Sequence, residues 1–299
     1  MTKSGKTKFL KPETVAILDS MALRARLVVE GYIIGHHRSP FHGFSVEFAE
    51  HRSYEPGDEI RHIDWKLFGK TDRLYVKRYE EETNLSAHLI LDISKSMMYK
   101  SSTVSKLNYA NTLAAALSYL MIKQQDAVGL VQFSNHIDSF LLPKSRPSHL
   151  SSILNKLDDD KFGGDTQIEK VLHEMAERIL KRGLVILISD LLDDPQKILD
   201  GLKHFRHNNQ EVIVFQLFDR KELEFDFNNR TKFLDMETGE EIITEPWHIR
   251  SSYINLLSER QKFFRKNCQE NLIDYFPIIT DQNLDLCITE YLKKRKKLG

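Results

Sequence analysis

Two cysteines in 299 residues, Cys268 and Cys287, are too few for a disulfide framework and too isolated for a soft-metal site. Net charge is missing as well: 43 basic and 43 acidic residues cancel, so nothing global calls for nucleic acid or an anionic membrane surface. No apolar run approaches a membrane span, the longest being Leu184–Ile188 and Val212–Phe218. The polar opening, Met1 to Lys11, has no signal-peptide core. Internal repeats, Walker-type loops and low-complexity stretches are absent too. A soluble, cytoplasmic protein with no membrane span and no nucleic-acid partner is expected, and 41% apolar residues are ample for a core.

What is present alternates strand and helix. Leu89–Leu91, Ala127–Ser134, Leu184–Asp190, Val212–Phe218 and Tyr275–Thr280 read as strands, and Ile137–Leu142 as a short partner to the second. Between them, apolar residues three and four apart predict helices, such as Leu107, Ala110, Ala114, Leu117 and Met121, or Ile168, Val171, Leu172, Met175 and Ile179. Pro195 opens another, and a long one runs from about Ser251 to Asn271. The fold class expected is α/β: a Rossmann-like, doubly wound, mostly parallel sheet.

Two additions interrupt the pattern. Residues 1–85 read as an N-terminal extension packing on a main domain of 86–299, with a helix from Pro12 to about Ile34 (Val15, Leu18, Met21, Ala22 and Ala25 inward) and a half-exposed strand after Arg73. A β-hairpin insertion is expected at about 221–246, with strands at Leu223–Phe227, Thr231–Leu234 and Ile242–Thr244. In the extension, Pro56-Gly57 suits a type II turn. Arg52, Tyr54, Asp58, Arg61, Asp64 and Trp65 form either a structural brace, with Asp64 paired to an arginine beside Trp65, or a partner surface. His36, His37, His42 and His51 have neither an i, i+4 pair nor a cysteine partner, which argues against zinc. The basic run Lys293–Lys297 reads as the solvated end of a closing helix.

The chemistry concentrates at Asp92, Ser94 and Ser96, where the first strand ends. A carboxylate and two hydroxyls suit a hard divalent cation, Mg2+ or Mn2+, rather than a soft one. Thr166, after Gly163 and Gly164, and Asp190, at the end of a later strand, belong to loops that an open α/β sheet gathers beyond its strands' carboxyl ends.

These five residues resemble the metal-ion-dependent adhesion site of von Willebrand factor A domains. The stretch from His37 to Met98, with Tyr54-Glu-Pro-Gly-Asp58, Arg61-His-Ile-Asp-Trp-Lys66 and Lys77-Arg-Tyr-Glu-Glu-Glu-Thr-Asn84, resembles the bacterial proteins catalogued as domain of unknown function 58. The resemblance implies a von Willebrand factor A-like domain and a functional link with MoxR-type AAA+ ATPases in chaperone-like maturation or assembly. The expectation is a non-enzymatic, metal-dependent protein-interaction module, its cation completed by an acidic residue of that ATPase or its client. The alternatives are a metal-free structural adaptor with a vestigial site and a metal-dependent hydrolase or phosphatase using Asp92. Against the last, no His or Lys besides Lys95 falls in the three site loops.

Overall fold

Strands that are apolar at every position must be covered on both faces, and a sheet between two helical layers does this. The computed structural model describes residues 12–18, 20–36, 51–54, 65–77, 85–159, 167–236 and 239–298. In chain order the elements are α1 (Pro12–Ala16), α2 (Met21–His36), β1 (His51–Ser53), α3 (Trp65–Thr71), β2 (Tyr75–Lys77), β3 (Ser86–Asp92), α4 (Lys106–Lys123), β4 (Ala127–Phe133), β5 (Ile137–Lys144), α5 (Pro147–Asp158), α6 (Ile168–Arg178), β6 (Leu184–Ser189), α7 (Pro195–His207), β7 (Glu211–Phe218), α8 (Arg220–Glu224), β8 (Thr231–Leu234), β9 (Glu241–Thr244), α9 (Pro246–Glu270), β10 (Ile273–Ile279) and α10 (Asp285–Leu298).

The chain falls into two compact units, residues 1–36 with 85–298, and residues 37–84. In the larger unit the sheet order is β10-β7-β6-β3-β4-β5, all parallel except edge strand β5. Strand order reverses between β3 and β6, the place where such sheets open a crevice for ligands. The fold is α/β, Rossmann-like and doubly wound, as expected.

Alternation along the strands feeds two cores. Leu89, Leu91, Ile186 and Ile188 join one apolar cluster with residues of α2, α4, α5 and α10. Ile90, Val185 and Leu187 join the other with residues of α6, α7 and α9. In the smaller unit, β1 pairs with β2 antiparallel.

Four expectations change in detail. The helix from Pro12 breaks into two, and Ala22 is exposed while Met21, Ala25, Val28, Val29 and Tyr32 are buried. Leu223–Phe227 is not a strand. The Asp219 side chain accepts the Lys221 N–H, and Glu222 returns to the Asp219 N–H, a capping box that starts α8 instead. The alternating Phe225 and Phe227 serve an aromatic cluster with Phe233 and Tyr253. The long helix begins at Pro246, a first-turn proline, five residues before the expected start. In the basic end of α10, Lys294 pairs with Glu211 and Asp274, and Arg295 with Asp126, so it is partly structural. Pro56, Gly57, His37 and His42 lie outside the described residues.

Candidate functional site

Asp92 ends β3 fully buried. Its Oδ1 accepts the Ser94 backbone N–H at 2.9 Å, and its Oδ2 accepts the Ser189 hydroxyl at 2.6 Å from the end of β6. Ser189 Oγ in turn accepts the Leu191 N–H at 2.9 Å, fixing a turn in which Leu191 has a φ of 56°. Both bonds to Asp92 come from neutral donors. Burial first, then the charge of Asp190, pushes its carboxyl up to about 7, although Ser189 and Ser94 pull the other way.

Asp190 follows β6, next to β3 in the sheet. Its backbone carbonyl accepts Gln216 Nε2 at 2.9 Å, which holds the loop to β7. Unlike Asp92, it has a cation: Lys106 Nζ lies 2.8 Å from Asp190 Oδ2 and 2.8 Å from Glu222 Oε1. Arg260 of α9 caps the same loop by donating to the carbonyls of Leu191 and Asp193. Burial lowers the Lys106 pKa, but the two carboxylates outweigh it and hold the ammonium above its ordinary value.

Ser94 and Ser96 occupy the turn after β3, where a short 3-10 segment spans Lys95–Met98. Their hydroxyl oxygens stand 3.0 Å apart, one donating to the other, so both point into one small space. Thr166 lies outside the described residues. At the start of α6 the Gln167 N–H donates to the Ser134 carbonyl at 3.4 Å and the Ile168 N–H to Asp193 Oδ2 at 3.2 Å.

The structure thus brings Asp92, Ser94, Ser96 and Asp190 together at the switch in strand order, and adds Lys106 and Glu222. Sequence reasoning missed both, because it searched loops while Lys106 opens a helix. One signal was available: a lysine directly after the N-cap Ser105 opposes the helix dipole, so something acidic must face it.

Would these residues suit a metal ion? Among the described residues, no three His, Cys, Asp or Glu side chains gather as a metal cluster. The donors are instead two converging hydroxyls and the carboxylate of Asp92, with Asp190 beyond. That oxygen-only set, lacking positive charge at Asp92, fits a small hard cation that keeps several waters.

The residues expected as a brace belong to the smaller unit. Arg52 pairs with Val76 across the β1–β2 ladder, and the Tyr54 N–H donates to the Leu74 carbonyl at 3.0 Å. Trp65 is 58% exposed and meets Phe68 edge to face. Asp58, Arg61 and Asp64 lie outside the described residues.

The family model described as protein of unknown function DUF58 matches residues 50–262. The uncharacterized protein Rv1480 of Mycobacterium tuberculosis is 22% identical over 231 residues, covering 76% of this chain and 72% of that protein. An aerotolerance-related membrane protein from Bacteroides fragilis, solved with multiple mutations to serines, has the same fold. It is 16% identical, with a TM-score of 0.51 over 71% of this chain and 99% of that one. The VWA domain of SpRpn10 is 12% identical at a TM-score of 0.39, covering 70% of this chain and 95% of that one. Among the described residues, no helix is long and apolar enough to cross a membrane.

Proposed function

The chain belongs to the DUF58 family, and from that premise we propose that it is a protein-interaction module governed by a divalent cation held at Asp92, Ser94 and Ser96. One observation carries the reading: a fully buried carboxylate, bonded among the described residues only to neutral donors, lies next to two hydroxyls that converge on each other. Mg2+ is the first choice and Mn2+ the second; Thr166 is proposed as a further ligand on its sequence alone, and Asp190 backs the set. When bound, the cation supplies an electrophilic position that an acidic side chain of a partner can fill, giving charge-assisted specificity. The surrounding surface supplies most of the affinity. A MoxR-type AAA+ ATPase, or a client it matures in the cytoplasm, is the partner this reading favours.

Catalysis is disfavoured. Lys106 is clamped by two carboxylates and remains an ammonium, so it is no general base. Calorimetric titration of the metal-stripped chain with MgCl2 and MnCl2, beside a Ser94→Ala/Ser96→Ala variant, tests the proposal. Saturable binding by the wild type alone, with partner capture lost in the variant, is expected. Unchanged capture by the variant would leave a metal-free adaptor, and a phosphatase activity abolished in Asp92→Ala would make the protein a hydrolase.

A further inference from the structure

Lys106 is 1% exposed and is the first residue of α4. A buried ammonium at the positive end of a helix is unfavourable twice over, by desolvation and by the dipole. It persists because its Nζ bonds two carboxylates at 2.8 Å each, Asp190 beside the candidate metal ligands and Glu222 at the start of the inserted segment. Tyr99 adds its ring 5.8 Å from Nζ. The neighbouring strand end has the reverse arrangement, since among the described residues Asp92 bonds no cationic side chain. Among the described residues, positive charge at this site is divided: one carboxylate has a tethered cation, the other none.

We propose that Lys106 is a built-in competitor for Asp190, and that it sets the affinity of the site for a divalent cation. A metal at Asp92 and the two serines has full use of Asp190 only when the ammonium is carried by Glu222. The site therefore binds metal more weakly than its oxygen donors alone would, and the loops keep their shape without one. The inference rests on the metal reading above.

Calorimetry with MnCl2 and thermal melting of the full chain provide the test. Lys106→Met keeps an apolar stem and frees Asp190; it should bind Mn2+ at least about tenfold more tightly than the wild type. Its melting temperature should fall in chelator and recover with Mn2+. The double variant Lys106→Met/Glu222→Gln restores the wild-type net charge and carries the test if the single variant fails to fold. It should retain the tighter binding, because Asp190 remains free.

Equal affinity in the wild type and Lys106→Met overturns the competitor role while leaving the metal site intact. So does a double variant that returns to wild-type affinity, since net charge alone would then govern binding. If none of the three proteins binds Mn2+ in the millimolar range, the metal reading falls and this inference with it.

Discussion

Two fully buried aspartates stand at opposite ends of neighbouring strands and are treated in opposite ways. Asp126 precedes β4 and is held by Arg295 through both oxygens, at 2.6 and 3.1 Å, with the Leu85 N–H and the Tyr291 hydroxyl as further donors. Asp92 ends β3 and receives one amide and one hydroxyl. At the amino end of the sheet the fold matches the charge within the chain. At the carboxyl end it leaves the charge short of a partner, and that asymmetry distinguishes an acid that builds the fold from one placed to bind.

The comparison breaks hardest at Asp126. An Asp126→Asn variant leaves the partly exposed Arg295 guanidinium facing a neutral amide, and removing the buried acid of this pair costs about 2–3 kcal/mol. Urea denaturation should show that loss with an unchanged slope, and Mn2+ affinity should stay at the wild-type value. A loss below about 1 kcal/mol would mean that Arg295 is carried by solvent, and that Asp126 is no structural counterpart to Asp92.

How much of this was legible in the sequence differs between the same two ends. The apolar runs and the three-and-four spacing place β3, β6, β7 and α4, and a buried strand ending in Asp92 with two serines behind it points to the carboxyl edge without a structure. Asp126 gives no such signal. Its partner Arg295 lies in a run of five basic residues that reads as solvated, and only the fold shows which of them turns inward. Lys106 and Glu222 were hidden for the same reason, since they come from a helix start and an insertion far apart in sequence. Helix caps were readable but overlooked: Asp219 with Glu222 and Pro246 each mark a start that hydrophobic alternation obscured.

Acid titration sharpens the comparison next. His88 lies four residues before Asp92 on β3; it is 6% exposed, its Nδ1 has no partner among the described residues, and burial lowers its pKa to about 4. Between pH 4 and 6.5 the unfolded chain binds a proton there and the native chain does not. Stability is therefore full above the ordinary value and lost as pH falls, by about 3 kcal/mol from this group. Asp92 runs the other way. Its raised pKa gives stability that is full below the ordinary carboxylate range and lost as pH rises through about 7. The metal-free wild type should show a shallow profile across this window. Asp92→Asn should expose the steep loss on acidification, and His88→Leu should reverse the slope. Parallel profiles for all three proteins would refute the assignment.

Backbone packing offers a smaller test of the amino end. A Cβ at Gly183 would run into the Ser86 carbonyl oxygen where β6 begins beside β3. Gly183→Ala should cost about 2 kcal/mol in urea denaturation, from overpacking against backbone that has little room to give. Its Mn2+ affinity should match the wild type, because the strand's other end carries the site. A parallel loss of binding would show that the two ends do not act independently.

The smallest effect on folding is expected at the site itself. Asp92→Asn removes a charge that the metal-free fold buries without a cation, while the amide oxygen can still accept the Ser94 N–H. In chelator at neutral pH its stability should therefore lie within about 1 kcal/mol of the wild type, or above it. The same substitution should abolish the rise in melting temperature that Mn2+ gives the wild type. Asp92→Asn and Asp126→Asn are the same chemical change at equal burial, so their costs in chelator compare directly. If Asp92→Asn proved as damaging as Asp126→Asn, Asp92 would be a structural acid, and the asymmetry between the two ends would not mark a binding site.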